Sequence, residues 1–286
     1  MLPYEVLDIQ ASDFERIRGF IRDHCGIVVG DEKSYLIESR LARLVADNDC
    51  SCFSQFYELL EGKAVSGLRD KVIDAITTNE TLWFRDGKPF DGLYRHLVKH
   101  LFAQVPPHKP LRIWSAGCST GQEPYSVAMI IDRVARENPG LGMSLGRCEI
   151  LATDISPSVL YLAANGRYDT LAIKRGMDDY YLDRYFTRKD RVWIIDEKIR
   201  KAVTFKKFNL QAPFGSLGEF DLILCRNVMI YFSDEFKVDL YNRFAAAMNP
   251  CAVLVLGAAE TPLGLTGRFQ KYANDDSVYY EVKEDA

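Results

Sequence analysis

No apolar run in this 286-residue chain approaches the roughly 18 residues that a membrane-crossing helix needs, so no membrane insertion is expected. The opening stretch, MLPYEVLDIQASDF, has no basic region followed by an apolar one. No secretory leader is therefore expected, and a cytoplasmic location is the corresponding expectation. Histidine is scarce, with four residues at 24, 96, 100 and 108. His96 and His100 stand one helical turn apart, but the intervening Leu97, Val98 and Lys99 lack the glutamate of a metalloprotease helix. The seven cysteines are scattered, and only Cys50 and Cys52 lie close together. That spacing suits reduced thiols better than a disulfide scaffold or a zinc site, so no metal is expected. Excess positive charge is missing too. Thirty-six Lys and Arg face forty Asp and Glu, a net charge of −4, which disfavours sequence-independent nucleic-acid binding.

What is present is an ordinary globular composition, 48% hydrophobic and 27% charged, in a chain long enough for one large domain or two modest ones. Residues 1–88 read as helices only. Ser12 and Asp13 offer an N-cap ahead of Phe14, Ile17, Phe20 and Ile21 at helical spacing. The proline-bearing QVPPHKP marks a boundary, so residues 89–110 are expected to form a linker. From 111 to 286 the pattern changes. LRIWSAG (111–117), CEILATD (148–154), FDLILCRN (220–227) and CAVLVLGAAE (251–260) are buried strands, and helices alternate with them. This predicts an α/β fold with a doubly wound parallel sheet. The last residues, RFQKYANDDSVYYEVKE, read as an antiparallel hairpin, a feature of the class I methyltransferase variant of that fold. Residues 167–206 break the alternation and predict a small inserted β-subdomain with a short helix.

Three features carry chemistry. The loop Ser115–Gly121 after the first strand is rich in small residues, and Gly117 lets a ligand approach the backbone at a helix N-terminus. Alone, it fits several nucleotide-like ligands, or a plain tight turn. Asp154 ends the second strand, where a carboxylate can accept hydrogen bonds from ribose hydroxyls. CRNVMIYF (225–232) places Arg226 and Asn227 at the carboxyl end of another strand, where open sheets of this kind bind ligands.

Taken in order, TNETLWFR (78–85), STGQEPYS (119–126), ATDIS (152–156) and CRNVMIYF (225–232) resemble the chemotaxis receptor methyltransferases, the CheR-type protein-glutamate O-methyltransferases. The resemblance runs from about residue 10 to the C-terminus. It implies S-adenosylmethionine bound between a helical domain and the sheet domain, with S-adenosylhomocysteine as product. Asn79, Thr81 and Arg85 match the residues that hold the methionine end, where an Arg pairs well with a carboxylate. Glu123 matches the residue at the amino end, Asp154 the ribose ligand, and Asn209 and Leu210 the pair beside the adenine. Arg226 and Asn227 match a cofactor-contacting pair. Tyr231 matches the tyrosine near the reacting methyl, which makes Tyr231 and Arg226 the expected catalytic pair.

The implied chemistry suits these residue types. A sulfonium methyl is already activated, and a glutamate is already ionised near pH 7. Alignment and water exclusion are what an enzyme must add. The resemblance further implies that Lys33, Arg40 and Arg43 dock the helices of a chemoreceptor that carry the methylated glutamates. A monomer is expected. Some family members use a glycine-bearing loop in the insert to bind a receptor's C-terminal pentapeptide. Here FTRKDRVWII (186–195) has no glycine, which points to the pentapeptide-independent branch. Two other readings remain open on the sequence: a class I methyltransferase with a different acceptor, and a non-catalytic cofactor-binding sensor.

Overall fold

The computed structural model describes residues 8–62, 67–106, 108–273 and 277–283. The leader reading at residues 1–7 and Pro107 of the QVPPHKP boundary lie outside these, as does the side chain of His96. The chain opens with four helices, α1 (Ala11–Cys25), α2 (Ser34–Asp47), α3 (Phe53–Glu61) and α4 (Leu68–Ile76). They enclose a core of their own, in which Ile17, Ile21, Ile37, Leu41, Val45 and Phe56 are fully buried. Each such side chain contributes about 1.5–3 kcal/mol through burial. The expected cap at Ser12 and Asp13 is displaced. Helix α1 starts two residues earlier behind Gln10, and Asp13 sits in its first turn, where a carboxylate complements the helix dipole. Gly26 ends the helix at φ 77°, its N–H returning to the Arg22 carbonyl.

The stretch 89–110 is not a plain linker. Helix α5 (Lys88–Gly92) runs through a π-helical turn, Leu93–Leu97, into α6 (Val98–Gln104). Phe90, Leu93, Val98, Leu101 and Phe102 are buried in the sheet domain's core. Apolar residues at helical spacing outweighed the later prolines, which act only at its end.

The sheet domain follows in the order β1 (Leu111–Ala116), α7 (Gln122–Glu137), β2 (Cys148–Asp154) and α8 (Pro157–Asn165). The insert contributes β3 (Arg167–Asp169), α9 (Thr170–Lys174), α10 (Asp179–Tyr185), β4 (Phe186–Lys189), β5 (Val192–Ile195) and α11 (Glu197–Lys201). The chain then returns through β6 (Val203–Lys207), β7 (Phe220–Cys225), α12 (Asp234–Ala246), β8 (Met248–Leu256), β9 (Phe269–Ala273) and β10 (Val278–Val282). Seven strands form one sheet in the order β6-β2-β1-β7-β8-β10-β9. The pairs β6–β2, β2–β1, β1–β7 and β7–β8 are parallel, while β10 runs antiparallel to both β8 and β9. This is the doubly wound class I methyltransferase sheet with its C-terminal hairpin.

Two boundaries shift. The basic KIRKAVTFKK does not belong wholly to the insert, because β6 within it pairs with β2 and forms an edge of the main sheet. The insert's own sheet has three strands, β3-β5-β4. Strand β8 begins at Met248, three residues before the expected strand at 251, so Pro250 lies inside it. The register with β7 slips between Phe220 and Leu222, and Cys251 takes φ 62°. A bulge of this kind tolerates a proline that cannot donate to the ladder.

Candidate active site

An open cleft lies at the carboxyl ends of β1, β2 and β7, closed on one side by the helical domain. Asn79, Thr81, Arg85, Gly117, Glu123, Asp154, Asn209, Leu210, Arg226, Asn227 and Tyr231 all line it. The structure thus brings together every cofactor and catalytic position expected from the sequence. Lys33, Arg40 and Arg43 stand outside it.

The turn after β1 forms the floor. Gly117 takes φ 78°, and a Cβ there would meet Val228 Cγ2 at 2.5 Å, so only glycine allows the two strand-end loops this approach. Asp154 is anchored by backbone: Ser119 N donates to its Oδ2 at 2.8 Å and Ser156 N to its Oδ1 at 3.0 Å. Burial raises the Asp154 carboxyl, and these amides pull it back. Glu123 stands in the first turn of α7. Its Oε1 accepts from Ser115 Oγ at 2.8 Å and its Oε2 from Arg226 Nη1 at 3.3 Å. Burial raises this carboxyl too, against the nearby Arg226 charge and these hydrogen bonds.

Arg226 is almost wholly enclosed, with its side chain 1% exposed. Its Nη2 donates to the Arg85 carbonyl and to Asp86 Oδ2, each at 2.7 Å, and the guanidinium lies over the Phe90 ring. The expected catalytic role of Arg226 thus meets a side chain tied up by protein partners, in a geometry that positions Glu123 and the 85–86 backbone. Asn227 takes φ 58° and keeps a buried Oδ1 without a partner on the cleft wall. An orphaned buried acceptor at a cleft wall suits a ligand that donates.

The segment between α4 and α5 supplies the third wall. Ser119 Oγ donates to the Asn79 carbonyl at 2.8 Å, joining this segment to the β1 turn. The insert clasps its outer side. Trp83 N donates to the Arg175 carbonyl, the Arg175 guanidinium pairs with Glu80 at 2.5 Å, and the Trp83 ring meets Tyr168 and Phe186 edge-on. Gly176 packs so closely on the Trp83 carbonyl that a Cβ would come within 2.2 Å of its oxygen.

At the far end, Asn209 Nδ2 donates to the His24 carbonyl at the end of α1. Tyr231 closes a 3₁₀ turn, Met229–Tyr231, and its carbonyl accepts from Val28 N at 2.9 Å beside an isolated bridge between Ile27 and Phe232.

The three basic residues expected to dock a partner do not behave alike. Arg43 is exposed on α2, 3.5 Å from Asp47. Lys33 is exposed in a 3₁₀ turn before that helix. Arg40 turns inward, donating to the Ile76 carbonyl and, at 3.1 Å, to Thr78 Oγ1. It therefore braces the start of the segment that carries Asn79. Sequence reasoning missed Asp86, which bears no motif signal. It also missed Glu260, whose only signal is an acidic residue just past a buried strand.

A class I sheet with a carboxylate ending β2, another in the first turn of α7 and an Arg–Asn turn after β7 on the same cleft fits the class of S-adenosylmethionine-dependent methyltransferases. The CheR methyltransferase SAM-binding domain matches residues 79–278, and the CheR methyltransferase all-alpha domain matches residues 12–77. The chain belongs to the CheR methyltransferase family. It is 41% identical over 272 residues to chemotaxis protein methyltransferase Cher2 of Pseudomonas putida, covering 95% of this chain and 98% of that one. Identity is 41% over 273 residues to chemotaxis protein methyltransferase 1 of Pseudomonas aeruginosa, with 95% and 98% covered. To chemotaxis protein methyltransferase 1 of Vibrio cholerae it is 39% over 284 residues, with 99% and 100% covered. The protein is an S-adenosylmethionine-dependent methyltransferase of chemotaxis, with S-adenosylmethionine as its cofactor. Among the described residues, no helix is long and apolar enough to cross a membrane.

Proposed function

We propose that this enzyme acts in the cytoplasm as a monomer and methylates glutamate side chains on the cytoplasmic helices of chemoreceptors. The observation that carries this reading is the convergence of Asn79, Thr81, Arg85, Glu123, Asp154, Asn209 and Tyr231 on one cleft. S-adenosylmethionine, when bound, supplies an activated methyl, so the chain need only bind, orient and dry the site. Arg85 holds the methionine carboxylate with Asn79 and Thr81, and Glu123 faces the amino group. Asp154 takes the ribose hydroxyls, while Asn209 and Leu210 flank the adenine. Tyr231, on the cleft wall, orients the incoming glutamate carboxylate; it is not needed as a base, because that carboxylate is already ionised near pH 7. Arg226 fixes Glu123 and the 85–86 backbone around them. No metal enters this scheme.

The exposed Arg43 and Lys33 are the cationic part of the docking face. The insert's β4–β5 turn is a two-residue one in which Asp190 alone takes a positive φ, 56°. So tight a turn offers little backbone to an added peptide strand, which supports independence from a receptor's C-terminal tail. The test is transfer of labelled methyl from S-adenosylmethionine to receptor membranes. Base-labile label on a receptor lacking its C-terminal five residues is the expected result. Label stable to base, or transfer lost with the tail, refutes the corresponding half.

A further inference from the structure

Glu260 lies just beyond β8, 8% exposed, and has no cationic side chain among its hydrogen-bond partners. Its carboxylate is nonetheless saturated. Oε2 accepts from Asn227 N at 2.7 Å and Gly257 N at 2.8 Å, and Oε1 accepts from Val228 N at 3.0 Å and Met229 N at 2.8 Å. Four backbone amides from two loops converge on one buried anion, in the manner of an anion-binding nest whose anion is supplied by the chain itself. The two loops pack closely at Gly257. A Cβ on Gly257 would come within 2.7 Å of Glu260 Oε2 and 2.8 Å of Asn227 N.

The three amides on the β7 side belong to the turn that starts with Arg226 and ends with Tyr231. Asn227 there holds a left-handed φ of 58°, a conformation asparagine takes more readily than most non-glycine residues. The Tyr231 end of the same turn is held by hydrogen bonds from Tyr231 N to the Val228 carbonyl at 3.4 Å, from Phe232 N to the Met229 carbonyl at 3.1 Å and from Val28 N to the Tyr231 carbonyl at 2.9 Å. The Glu260 carboxylate ties the other end, joining three of the turn's amides to the loop after β8. We propose that Glu260 is a positioning residue for methyl transfer: its anion fixes the 226–231 turn so that Arg226, Asn227 and Tyr231 keep their places in the cleft.

This rests on reading the cleft as the methyl-transfer site. A glutamine at 260 has the same shape but one acceptor oxygen, and its NH2 would face two of the four N–H donors. For folded E260Q, kcat should fall about 10- to 100-fold, while the KM for the acceptor protein, whose docking face is elsewhere, stays within about threefold. A double-mutant cycle with Tyr231→Phe separates positioning from general weakening. If Glu260 acts through the turn, its effect shrinks in the Y231F background. A folded E260Q with wild-type kcat, or strictly additive effects, overturns the proposal. Amide exchange on the wild-type protein with S-adenosylhomocysteine decides it should E260Q not fold. Protection of the 227–229 and 257 amides at the level of the β7 ladder upholds it, and exchange at loop rates overturns it. A wild type without methyl transfer would instead sink the underlying reading.

Discussion

The Arg85 guanidinium faces the cleft and within the protein donates to the Glu80 carbonyl at 3.2 Å, so most of its donors are open to a ligand. Arg85→Ala should weaken S-adenosylhomocysteine binding about 10- to 100-fold by calorimetry, the loss of one charge-assisted hydrogen bond. Unchanged affinity would remove Arg85 from the methionine end. Cleft residues of this kind were legible because their types sit at strand ends within recognisable strings: Asp154 in ATDIS, Tyr231 in CRNVMIYF. The partners that immobilise them were not. Asp86 meets Arg226 across 140 residues and Glu260 meets Asn227 across 33. Nothing in local spacing encodes such a meeting, since the fold creates it.

Helix α2 shows how an amphipathic pattern misleads about single side chains. Arg40 and Arg43 are three apart, yet Arg40 bends back to the end of α4 while Arg43 stays in solvent. Arg40→Ala is therefore expected to weaken cofactor binding several-fold by loosening the Asn79 segment, about what one hydrogen bond supplies. Arg43→Ala should leave cofactor affinity alone and slow receptor methylation, most at low salt where steering is strongest. Equal effects on cofactor affinity would return Arg40 to the docking face.

The α7–insert junction carries a second element-scale expectation. Burial works to raise the Asp132 carboxyl, but hydrogen bonds from Lys198, Arg136 and Tyr185 outweigh it and hold it below the ordinary 3.8. A depressed carboxyl contributes stability that is present above the unfolded value and lost as pH falls through the lower, folded one. Asp132→Asn should cost about 1.5 kcal/mol near pH 7 by denaturant melts, the low end for a charged hydrogen bond because Lys198 is 66% exposed. The gap to wild type should narrow only below about pH 3.8. A gap constant down to pH 2.5 would show that packing, not charge, joins these elements. The aromatic pairs of this region were visible in the sequence as Tyr180, Tyr181, Tyr185 and Phe186, but their role in anchoring the insert to α7 was not, because the partners Asp132 and Arg136 lie about 50 residues away.

At the scale of the whole molecule, the cleft takes walls from both the helical and the sheet domain. S-adenosylhomocysteine at 100-fold its dissociation constant should raise stability by about 2.7 kcal/mol in one shared transition, with excess chelator present. Two separate transitions with ligand bound, or binding lost to the chelator, would refute the shared cleft or its freedom from metal. The parallel layers of the sheet were legible from apolar strands alternating with helices. The edge strand β6 was not, because its basic run through Lys206 and Lys207 grouped it with the insert rather than with the main sheet. The sheet has one further consequence, for synthesis and truncation. Strand β10 is made last, yet it lies inside the sheet, between β8 and β9, and in the sheet β9 pairs only with β10. A ribosome-bound chain therefore carries β8 with one side unpaired until Val278–Val282 emerges. A chain cut before Val278 loses a bridge rather than a margin, and it presents two open strand edges to its neighbours.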